Sequence, residues 1–70
     1  MKTFKKGDRV RIPQSHWVAK YRGLIGTVYS TSLTAANEPT CYVQFQVTAD
    51  DGTPYLGSAW ELMADLEEAL

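Results

Sequence analysis

The stretch YRGLIGTVY, residues 21–29, sets two glycines three apart in an otherwise apolar, β-branched run, directly after an aromatic and an arginine. Gly23 stands where a loop enters a strand, a position that calls for a left-handed backbone or a bulge. Gly26 lies inside the strand, where a missing side chain lets a neighbouring ring or backbone approach closely and lets a small sheet bend. Small barrels of short strands need that curvature to close. The two glycines therefore have a structural reason to be there, without any ligand.

Working outward, the flanking segments read as strands. In GDRVRIP, Val10 and Ile12 point one way and Arg9 and Arg11 the other, the period-2 pattern of a half-buried strand that Pro13 ends. PQSHWVAK is a loop. LIGTVYSTS is the second strand, and SLTAANEPT a polar turn region holding Asn37 and Pro39. CYVQFQV alternates most cleanly: Cys41, Val43, Phe45 and Val47 face in, while Tyr42, Gln44 and Gln46 face out. Asp51-Gly52 in ADDGTP signals a hairpin turn, leading into a short strand, YLGS. After it, Ser58 and Glu61 match an S-x-x-E capping box. Ala59, Leu62, Met63, Leu66, Ala69 and Leu70 then recur at helical spacing, so the tail is expected to be helical, or to relax into a short last strand around residues 64–67. Val10, Ile12, Val28, Val43 and Phe45 make the expected core, with Leu62, Met63 and Leu66 either covering one of its open ends or forming an apolar stripe for a second subunit.

Seventy residues make one domain, residues 1–70, and 44% hydrophobic content sets it apart from disordered chains. A single cysteine, Cys41, excludes an internal disulfide framework and fits a reducing compartment, and its inward register makes it a buried structural thiol. No apolar run reaches the ~18–20 residues of a membrane span, and no secretory segment is recognisable. The expectation is a cytoplasmic protein without a membrane partner. The net charge of −1 hides a polarised chain. All seven cations fall in the first 22 residues with only Asp8 against them, giving that segment +6, and the seven remaining acids give residues 23–70 a charge of −7.

The order F-x-x-G-D-R-V-R, Y-R-G-L-I-G-T-V, Y-V-Q-F resembles the SH3-like small barrels of bacterial and plastid proteins. These include the nitrile hydratase beta-subunit barrel, the variable chain of ferredoxin–thioredoxin reductase, photosystem I subunit IV and KOW modules. G-D-R-V-R and T-S-L-T are also similar to type II dihydrofolate reductases. The resemblance implies an SH3-like five-stranded small barrel, and with the helical spacing of the tail the expected fold is all-β, that barrel with a short C-terminal helical segment. It also implies a small subunit of a larger complex with no cofactor of its own, and chain ends that approach one another, so that the basic arm is partly neutralised internally. The reductase family carries a Val-Gln-Ile-Tyr run in a late, pore-facing strand. Here the nearest string, Val43-Gln44-Phe45, lies in an earlier strand, and the late region reads Gly57-Ser58-Ala59-Trp60.

Chemistry is thinly represented. One histidine (His16) and one cysteine exclude a His/Cys metal cluster, no phosphate-binding or nucleophile-elbow motif is present, and Asp50-Asp51 reads as turn chemistry. No catalytic or metal-binding residues are assigned. The loop SHWVAKYR instead gathers rings and cations, the residue types that dominate interface hot spots. The expected binding surface is Trp17, Lys20, Tyr21 and Arg22, with Tyr55 and Trp60 alongside. The alternative for Trp17 and Tyr21 is a core-capping role. The favoured function is a non-catalytic binding or assembly module acting through protein–protein contacts, with a homo-oligomer also open. KOW-like nucleic-acid binding is the runner-up, and an oligomeric reductase is third.

Overall fold

A computed structural model describes residues 3–69. Five strands form one antiparallel sheet: β1 (Arg9–Arg11), β2 (Ile25–Leu33), β3 (Pro39–Thr48), β4 (Pro54–Leu62) and β5 (Glu67–Glu68), in the order β4-β3-β2-β1-β5. The protein is all-β. Short 3-10 turns at Ala19–Tyr21 and Met63–Asp65 lie in the β1–β2 and β4–β5 connections. Among the described residues, no helix is long and apolar enough to cross a membrane.

The alternation in CYVQFQV is realised as expected. Cys41, Val43, Phe45 and Val47 are buried and join Val10, Ile12, Val28, Met63 and Leu66 in one core, while Leu62 is half-buried. Gly23 has φ 75°, and its amide donates to the Ile12 carbonyl at 2.9 Å, which closes the base of the loop between β1 and β2. Gly26 is buried between Val10 on one side and Phe45 on the other. A Cβ there would lie 2.6 Å from Val43 Cγ1 and 2.7 Å from the Gln44 carbonyl oxygen, so only glycine fits without displacing β3. β2 carries a bulge between Val28 and Ser30. It gives Tyr29 an unpaired place on the strand and leaves the ring exposed.

The C-terminal third departs from expectation. β4 runs straight through the supposed capping box: Ser58 stands opposite Gln44, and Glu61 opposite Cys41. No helix begins at Ser58. The reason is that the Asp51-Gly52 turn starts a ladder to β3 that continues over nine residue pairs. This pairs β4 with a fully formed strand, whereas a short isolated helix would have to nucleate by itself. The helical element reduces to the Met63–Asp65 turn, which places Met63 and Leu66 in the core. The chain then forms a two-residue strand against β1, with Val10 opposite Glu68 and Arg11 opposite Glu67. The last strand is thus present, but it begins three residues later than the range 64–67 expected for it. Leu70, counted in the helical stripe, and Lys2, counted in the basic arm, lie outside the described residues.

Candidate functional site

The loop between β1 and β2 is organised around His16, which is buried with only 6% of its surface exposed. Its Nδ1 accepts a hydrogen bond from the Val18 amide at 3.0 Å. That acceptor role leaves the ring proton on Nε2, which donates to Glu61 Oε1 on β4. The His16 carbonyl accepts from Arg22 Nε at 2.6 Å. One residue thereby ties the first half of the loop to its second half and ties both to β4.

Trp17 follows directly and is 86% exposed, its ring stacked on the imidazole at 5.9 Å between centroids and 18° between planes. Tyr21 turns the other way: it is half-buried, edge-on to Phe45 at 4.8 Å and tilted against His16 at 5.6 Å. Tyr21 therefore fastens the loop to the core, and Trp17 is the ring left in solvent. Lys20 Nζ sits 3.2 Å from Asp50 Oδ1, which links the 3-10 turn to the β3–β4 turn. Arg22 is exposed.

The structure brings Trp17, Lys20, Tyr21 and Arg22 together on one loop, and it parts Tyr55 from Trp60. Those two lie on opposite faces of β4. Tyr55 is opposite Val47 in the core-facing register, and Trp60 is opposite Tyr42 on the outer face. Trp60 belongs instead to a row of rings across three strands. Tyr29 and Tyr42 are edge-on at 6.3 Å, Tyr42 and Trp60 tilted at 5.1 Å, and Lys6 Nζ lies 5.7 Å from the centre of the Tyr29 ring. Ser58 Oγ and Tyr42 Oη share a 2.7 Å hydrogen bond on the same face. Sequence reasoning missed this row, although counting outward from the Asp51-Gly52 turn would have placed Trp60 opposite Tyr42. It also missed Glu61 as the partner of His16, for which the sequence carries no local signal.

Among the described residues, no three His, Cys, Asp or Glu side chains converge in a way that could hold a metal ion. Burial pushes the Cys41 thiol above its ordinary value, and the Asp8 carboxylate adds to the effect. Such a thiol is protonated and inert. A depression of about 390 Å³ is lined by Thr3, Phe4, Gly7, Asp8, Arg9, Glu68 and Ala69, and shares no residue with the Trp17 loop. Asp8, its innermost acid, already accepts from the Lys5 amide at 3.0 Å in a turn. No family model, curated protein or solved structure matches the chain.

Proposed function

We propose that this chain is a non-catalytic binding or assembly module that acts through protein–protein contacts, built on an SH3-like barrel and serving as a small subunit of a larger complex. What supports the barrel is the antiparallel strand order, with a short last strand returning beside the first. The observation that carries the function is Trp17, a fully presented indole on a loop that a buried His–Glu pair holds in place. A ring ordered before binding loses little freedom on docking, so its apolar area is available as affinity. Lys20 and Arg22 on the same loop favour a partner segment with acidic or carbonyl acceptors.

The test uses immobilised wild-type, Trp17→Ala and Arg22→Ala chains as parallel baits, followed by titration of the purified captured protein. Each substitution should weaken binding by about 2 kcal/mol, roughly 30-fold. Thermal stability should change little for Trp17→Ala, because exposed side chains rarely contribute more than about 0.5 kcal/mol to folding, whereas Arg22→Ala also removes the hydrogen bond to the His16 carbonyl and should cost about 1 kcal/mol. Equal affinity of all three baits for the captured protein would remove the loop as the binding surface.

Nucleic-acid binding in the KOW manner is the second reading, and one observation favours it. Lys5, Lys6, Arg9, Arg11 and Arg22 are exposed, and none of them has a carboxylate within ion-pair distance among the described residues. A random-sequence RNA oligonucleotide bound with a steep salt dependence would select this reading over the first.

A further inference from the structure

We propose that β4 is the two-fold interface of a homodimer, pairing antiparallel with β4 of a second copy about an axis through Ser58. The sheet has two ends, and they are built differently. β5 is two residues long and both are glutamates, so it is blunted by shortness and by charge. β4 is nine residues long, and after Pro54 it contains no proline, lysine, arginine or register break. Those are among the devices by which solitary proteins keep an open edge from pairing, and the one charge that β4 does carry, Glu61, faces inward and is engaged by His16.

The hydrogen-bond parity of β4 fixes which residues a second strand would meet. The Ala49 amide donates to the Thr53 carbonyl at 2.9 Å, so Ala49 and Thr53 form a bonded pair, and bonded pairs then alternate along the ladder. Tyr55, Gly57, Ala59 and Glu61 use their backbone groups on β3. Those of Leu56, Ser58, Trp60 and Leu62 point to the open edge. Pro54 falls in the outward set, where its missing N–H costs the ladder nothing.

A two-fold axis through Ser58 sets outward-bonding residues opposite outward-bonding residues, save that Pro54 has no N–H to donate at either end of the paired strands. Ser58 meets Ser58, Leu56 meets Trp60, and Pro54 meets Leu62. The side chains suit that register. Leu56 is 70% exposed and Trp60 55% exposed, both on the outer face, and each would cover the other across the axis in two identical contacts. The outer-face residues around them on β3, Tyr42, Gln44 and Gln46, are uncharged, so the copies meet without like-charge repulsion. On the other face, Glu61 would stand opposite Tyr55 of the second copy, a carboxylate facing a phenol.

The inference concerns a surface separate from the Trp17 loop and stands or falls without it. Its test is the solution mass of wild type, Ser58→Lys, Ser58→Glu and an equimolar mixture of the two variants, across a dilution series. Wild type should have the mass of two chains, and each variant that of one, because identical charges face each other on the axis. The mixture should regain the two-chain mass, since a lysine would then face a glutamate. A wild type that is monomeric throughout, a Ser58→Lys protein that stays dimeric, or a mixture that stays monomeric would each overturn the proposal. Should Ser58→Lys lose its strand circular dichroism, Leu56→Lys at a position 70% exposed decides: a monomer supports the interface and a dimer overturns it.

Discussion

At the scale of single residues, His16 is the most consequential polar group, because one imidazole satisfies an amide, a carboxylate and a neighbouring ring at once. Replacing it strands the Glu61 carboxylate in a position where the side chain retains only 12% of its exposure. His16→Ala should therefore cost about 3 kcal/mol, in the range of broken buried pairs. Glu61→Gln should cost only about 1 kcal/mol, since an amide oxygen still accepts the Nε2 proton and only the charge-assisted part of the bond is lost. Urea midpoints of the two variants check the order. Equal losses would mean that Glu61 acts through its charge rather than as an acceptor. His16 is legible in the sequence as a lone ring in a loop, but its role is not, because its partner lies 45 residues away in a strand whose apolar spacing mimics a helix.

At the scale of elements, the sequence was most transparent where apolar residues face the core and most misleading where they do not. β3 alternates buried side chains with half-buried or exposed ones, and every inward position is readable. In β4 the pattern is inverted: the core-facing residues are Tyr55, Gly57, Ala59 and Glu61, while the large apolar residues Leu56 and Trp60 face solvent. Period-2 logic finds no buried stripe there, and the i, i+3, i+4 spacing of Ala59, Leu62, Met63 and Leu66 then suggests a helix that the ladder to β3 overrides. Ser58→Ala separates the two accounts. In a strand it removes one exposed hydrogen bond to Tyr42 and should shift stability by no more than about 0.5 kcal/mol. As a helix cap it would cost about 1 kcal/mol. Denaturant titration of this variant reads the difference directly.

At the scale of the whole molecule, the core is small and one sulfur sits inside it, so ionisation of that sulfur is linked to folding. The Cys41 thiol is raised in the folded chain, chiefly by burial. Both states hold it neutral below the ordinary thiol value of 9.0, where its contribution to stability is fully present. Above that value the unfolded chain ionises first, so stability falls as pH rises towards the folded-state value. Wild type should accordingly lose more stability than Cys41→Ala when the denaturant midpoint is followed from neutral to alkaline pH, and parallel curves would mean that the thiol ionises freely in the fold. The placement of the two tryptophans has a different consequence. Trp17 stands in solvent on the loop, whereas Trp60 lies against Tyr42 on the outer face of the sheet. Their fluorescence is therefore two signals from two surfaces. With Trp17 replaced by phenylalanine, the remaining emission belongs to the β4 edge alone. With Trp60 replaced, it belongs to the loop, so the molecule carries a separate optical reporter for each of these two surfaces.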